Sequence, residues 1–128
     1  PGCGKTHIAS AAMWEGPIGQ PIFRNVAEIL LEFQGSVKEH DELSTIKKFS
    51  RQHTLFDDVA SHRISDFVIE MFGLLLERLY SNDVRKLIFT SNLSPKQVLE
   101  TMGERVASRL KGLADPIKIE GPDFRISR

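Results

Sequence analysis

Short apolar runs alternate with stretches of helical period along almost the whole chain, and this alternation limits the fold more than any other feature. The runs "IFRNV", "HTLFDDV", "VRKLIFTSN" and "PIKIEGP" read as strands. "EGPIGQP" before the first of them is a turn. Helical period appears in "THIASAAMW", where Ile8, Ala9, Ala12 and Met13 share a face, and in "AEILLEF", which should end near Gly35. "VKEHDELSTIKKFSRQ" reads as a solvated helix and loop, with sparse apolar positions at Val37, Leu43, Ile46 and Phe49. Strands alternating with helices imply βαβ crossovers, since parallel neighbours cannot be joined by a tight turn. The expected fold is therefore α/β, three layers deep, with a parallel sheet between helices.

The later helices carry end signals. "SDFVIEMFGLLLERLYS" has Ser65 as N-cap and a core face of Phe67, Ile69, Phe72, Leu75, Leu76 and Leu79. Gly73 in its interior costs about 1 kcal/mol relative to alanine and points to close packing. "SPKQVLETMG" starts at Ser94 with Pro95 in the first turn, and Gly103 ends it. "ERVASRLKG" forms a second short helix.

The 128 residues suit one domain with a moderate core. Lys+Arg and Asp+Glu both number 17, so net charge argues for neither a nucleic-acid nor a membrane partner. Cys3 is the single cysteine, which rules out an internal disulfide and fits a reducing, cytoplasmic setting. No apolar run approaches the roughly 20 residues of a membrane helix. His7, His40, His53 and His62 have no partners at metal-ligand spacing.

Four features carry chemistry, in chain order. "PGCGKT" matches the end of the P-loop pattern G-x-x-x-x-G-K-[ST]. Gly2, Cys3 and Gly4 are small enough for backbone N–H groups to turn toward phosphate oxygens. Lys5 would reach the β/γ-phosphates and the Thr6 hydroxyl would sit on Mg²⁺, at the positive end of the helix that follows. The pattern's first glycine would precede Pro1, as would the strand that normally leads into such a loop. The chain is therefore read as a partial core over residues 1–128 that starts inside the loop. "TLFDDV" delivers Asp57 and Asp58 at a strand end. Asp57 could hold Mg²⁺, directly or through water, and Asp58 could orient an attacking water. Alone, such a pair is most often a polar turn; downstream of a P-loop it reads as a metal site. "LIFTSN" ends in Asn92, whose amide could position water beside a γ-phosphate. "GERVASRL" places Arg105 and Arg109 four apart on one helix face, as solvated residues or as charge stabilisers toward a neighbouring subunit.

"GCGKTHIA", "LFDDV", "FTSNLS", "GERVASRL" and "IEGPDFR" together resemble the DnaC-like and IstB-like AAA+ ATPases, which are helicase loaders and transposition helpers. The resemblance runs almost from Pro1 to Arg128. It implies an ATP- and Mg²⁺-binding ATPase with Gly2, Cys3, Gly4, Lys5, Thr6 and His7 along the nucleotide. It implies Thr6 and Asp57 at the metal, Asp58 and Asn92 (sensor 1) at the reacting water, and Arg125 as a sensor 2-like arginine. It also implies Arg109 as an arginine finger acting in trans within a homo-oligomer, with Arg105 as its companion near the nucleotide. The implied sheet order is 5-1-4-3-2, with the first strand missing. Many AAA+ proteins have Asp-Glu at the second motif; here the second acid, Asp58, is one methylene shorter.

The implied partners are single-stranded DNA and a replicative helicase, with a transposase in the runner-up reading, and no membrane. A non-catalytic interaction module with a vestigial P-loop is the reading from another class. Lys5, Thr6, Asp57, Asn92 and Arg109 together argue against it. A small-molecule kinase leaves "GERVASRL" unexplained.

Overall fold

The computed structural model describes residues 4–15, 22–39, 42–49, 53–59, 65–82 and 86–121. Six helices and three strands form among them, in the order α1 (Lys5–Met13), β1 (Ile22–Asn25), α2 (Val26–Glu39), α3 (Glu42–Phe49), β2 (Thr54–Asp57), α4 (Asp66–Ser81), β3 (Leu87–Phe89), α5 (Pro95–Met102) and α6 (Glu104–Leu113). The strands make one parallel sheet ordered β1-β2-β3, with Phe23 opposite Leu55 and Leu55 opposite Ile88. The expected strand order also places these three side by side.

Alternation along β2 assigns its faces. Leu55 turns toward α1, where it packs with Ala9, Met13 and Ile88. Phe56 turns the other way and stacks on Phe89, with ring centroids 5.2 Å apart. It joins the larger core formed by α2 to α6. Helices thus cover both faces of the sheet, which makes three layers. The α1 seam is narrower than expected: Ala9 and Met13 are buried, whereas Ile8 is 50% exposed. One helical turn separates Ala9 from Met13, and the small Ala9 side chain brings the helix close to the sheet.

The helix ends follow local chemistry. The Ser65 hydroxyl accepts from the Val68 N–H at 3.3 Å and caps α4. Ser94 and Gln97 form a reciprocal capping box at the start of α5. Gly103 closes α5 and opens α6 with φ 91° and ψ 169°, a conformation open essentially to glycine alone.

Three expectations are corrected. The second helix does not stop near Gly35 but continues to Glu39. Ser36 is buried there with its hydroxyl donating to the Phe33 carbonyl, which removes the cost of carrying a polar group inward. The stripe of α4 differs at one end: the expected Phe72, Leu75, Leu76 and Leu79 are buried and Ile69 packs partly buried against the core, but Phe67 is 44% exposed, and Val68 and Met71 are buried instead. The spacings 3, 4, 7, 8 and 11 from Val68 trace one helical face, which Phe67 does not join. Residues 116–121 of the expected last strand have no strand structure. Ile117 stands exposed, and Lys118 pairs with Glu120 at 2.7 Å instead.

Gly73 lies where α6 crosses α4. A methyl group there would meet Arg105 Nε at 3.7 Å and Val106 Cγ2 at 3.8 Å, ordinary contact distances. Close approach occurs, but it leaves room for a side-chain carbon. Gly73→Ala is therefore expected to stabilise the fold by about 0.5–1 kcal/mol, through the lower backbone entropy of the unfolded chain. A urea titration with a lower midpoint would show that the crossing is tighter than these distances.

Candidate functional site

The site forms where the first turn of α1 meets the C-terminal end of the central strand. Gly4 precedes the helix with φ 87°, a left-handed conformation that suits glycine, and its carbonyl accepts the first helical bond from the Ile8 N–H. Lys5 and Thr6 are the first helical residues. β2 alternation puts Asp57 on the same face as Leu55, beneath α1. There the Thr6 hydroxyl donates to Asp57 Oδ1 at 2.9 Å, joining residues 51 apart in the chain.

A second hydroxyl reaches the same oxygen. Thr90, just past β3, donates to Asp57 Oδ1 at 2.5 Å. Its oxygen also accepts from the Asp58 N–H at 2.9 Å. Asp58 has φ 65°, rare outside glycine but tolerated by aspartate. The backbone secures both segments: the Thr90 N–H donates to the Phe56 carbonyl at 3.0 Å, and the Val59 N–H donates to the Thr90 carbonyl at 2.8 Å. Ser91 adds a third tie, donating to the Val59 carbonyl at 2.7 Å.

The structure brings Thr6, Asp57 and Asp58 together around the end of β2, with Lys5 adjoining in the same turn of α1. His7 is exposed on α1. Asn92 does not end a strand: β3 stops at Phe89, and Asn92 is an exposed bend residue three positions on. Thr90, which precedes it, is the residue of this segment that touches the acidic pair. Arg105 and Arg109 lie on α6, in the layer across the sheet from α1. Both reach Glu77 of α4, Arg105 Nη2 at 3.5 Å from Oε2 and Arg109 Nη2 at 3.3 Å from Oε1. The two arginines therefore share one carboxylate. Gly2, Cys3 and Arg125 lie outside the described residues.

Thr90 and Glu77 are the two residues that sequence reasoning missed. Thr90 carries a signal, being the first polar residue after an apolar run. Glu77 carries none, because its two partners lie 28 and 32 residues further on.

The donor set fits a hard cation. Mg²⁺ prefers octahedral oxygen ligands at about 2.0–2.1 Å. Thr6 Oγ1 and Asp57 Oδ1 are hard oxygen donors set side by side, joined by a hydrogen bond. Among the described residues no group of three or more His, Cys, Asp or Glu side chains gathers for a metal. An all-protein cage is not what Mg²⁺ uses, as it keeps waters and substrate phosphates in its shell. A cavity of about 360 Å³ lies elsewhere, between α4, α5 and α6, and of the predicted site residues only Arg105 lines it. Among the described residues no helix is long and apolar enough to cross a membrane.

A parallel sheet with helices on both faces, its central strand ending in an acid below a helix that opens G-K-T, is an α/β fold of the P-loop NTPase kind. Among solved structures the chain is similar to the crystal structure of the DnaC helicase loader, with a TM-score of 0.74 and 23% identity over 90% of this chain and 71% of that one. The likeness is one of fold. No protein-family model and no curated protein matches the sequence.

Proposed function

We propose that this chain is the ATP-binding core of an AAA+ ATPase that assists DNA replication as a helicase loader of the DnaC kind. The observation that carries the reading is the contact between the Thr6 hydroxyl and Asp57 Oδ1. These are the residues expected at a nucleotide-bound Mg²⁺, and the fold sets them side by side from distant parts of the chain. The DnaC-like architecture adds support at the level of fold.

Each residue has a task in this reading. The N–H groups at the start of α1 and the Lys5 ammonium bind the phosphates, aided by the helix dipole. Thr6 and Asp57 hold Mg²⁺, which when bound screens the phosphate charge. Asp58 and Asn92 orient the attacking water. Arg109 reaches the γ-phosphate of an adjacent subunit in a homo-oligomer assembled on single-stranded DNA, where the replicative helicase is the partner. Within the subunit Glu77 pairs with both α6 arginines. The pair is half exposed and therefore easily exchanged.

Lys5→Ala should weaken ATP binding at least about tenfold, or about 1.4 kcal/mol, by removing a charge from the phosphate cradle. Calorimetric titration with ATP and Mg²⁺ is the measurement, and unchanged affinity would overturn the assignment.

A further inference from the structure

We infer that Thr90 is a positioning residue for both acids at the end of β2: its one hydroxyl aims the Asp57 carboxylate and fixes the Asp58 backbone. The inference rests on the nucleotide-binding reading above and adds to it a residue that touches neither nucleotide nor metal.

The geometry uses the hydroxyl fully in two directions. A threonine hydroxyl has one proton to give and lone pairs to accept with. Here the proton goes to Asp57 Oδ1 at 2.5 Å, and a lone pair takes the Asp58 N–H at 2.9 Å. The residue itself cannot drift. It is 8% exposed, its N–H is bonded to Phe56 and its carbonyl to Val59. Its branched Cβ restricts χ1, so the hydroxyl holds one direction. Thr6, the other hydroxyl on Asp57 Oδ1, is exposed at a helix start and is itself a proposed metal ligand. Thr90 is the buried partner of the two.

Asp58 adds a second reason. A non-glycine residue at φ 65° persists where its surroundings hold it. The bond from its N–H to Thr90 and the next N–H, from Val59 to the Thr90 carbonyl, both end on this one residue. Thr90 thus sets the angle at which the second acid leaves the strand. Outer groups of this kind are what orient metal-binding carboxylates.

The test is calorimetric binding of ADP and of a non-hydrolysable ATP analogue, each in excess EDTA and in saturating Mg²⁺. Thr90→Val keeps the shape and removes both bonds. It should reduce the Mg²⁺-dependent gain in affinity about tenfold, the lower end of what losing an outer-shell partner costs. Affinity in EDTA should stay at the wild-type value, and Thr90→Ser should restore the gain. Lys5→Ala differs by weakening binding in both conditions. If the valine variant does not fold, Thr90→Cys gives the same reading, since a thiol is only a weak donor and acceptor. Wild-type binding with a full Mg²⁺ gain in the valine or cysteine variant overturns the inference and leaves the functional reading standing. Absence of nucleotide binding by the wild-type protein overturns both.

Discussion

Arg109→Ala is expected to lower ATP hydrolysis by the assembled protein about 10³-fold, the low end of the range for an arginine acting on transferring phosphate. Nucleotide binding by the separate subunit should be nearly intact. The expectation combines the proposed role of Arg109 with its place in the fold. α6 packs on α4, in the layer across the sheet from α1, and Arg109 is anchored there by Glu77 at 3.3 Å. Removing Arg109 leaves the Arg105–Glu77 pair and the buried Val106 in place, so the helix keeps its seat. Exposed ion pairs contribute only about 0–1 kcal/mol, so folding is not the reason activity would fall. The discriminating measurement mixes two inactive variants, Lys5→Ala and Arg109→Ala. Each would supply across an interface what the other lacks, and partial hydrolysis should return. Confirmed mixed assemblies that stay inactive at every ratio would place Arg109 outside the neighbouring site.

Phe72→Ala should destabilise the protein by about 3–5 kcal/mol, against a typical total of about 5–15 kcal/mol. Phe72 is fully buried on α4 within the core that joins α2 to α6. Truncating it removes apolar burial and leaves a cavity that rigid neighbours cannot fill. Phe67, five residues earlier on the same helix, is 44% exposed. Phe67→Ala should cost less than about 1 kcal/mol, because little area changes environment. Urea unfolding of the pair reads directly which face of the helix is buried. Equal losses at the two positions would contradict the face described here. Should Phe72→Ala fail to fold, Phe72→Leu gives a smaller loss of the same sign.

What could be read from the sequence is local in its physics. Strand and helix alternation depends on periods of two and of about 3.6 residues, so the parallel α/β layout was legible without a structure. The caps at Ser65 and Ser94 and the break at Gly103 were equally legible, because a side-chain oxygen beside free N–H groups acts within three residues. G-K-T and the acidic pair were recognisable as residue types suited to phosphate and Mg²⁺.

Only the tertiary structure decided the rest. Which stripe of α4 is buried depends on where α2, α3 and α6 lie, and the large side chains of Phe67 and Phe72 do not differ until those neighbours are present. The segment 116–121 alternates like a strand, yet alternation becomes a strand only where another edge supplies hydrogen bonds. The tie of Thr6 and Thr90 to one oxygen of Asp57 joins chain positions 51 and 33 residues away from it, a distance over which sequence spacing carries no geometric information. The same holds for Glu77, whose shared hold on Arg105 and Arg109 exists only because α6 folds back across α4. Residue types named the chemistry in advance; burial and long-range contact chose which groups meet.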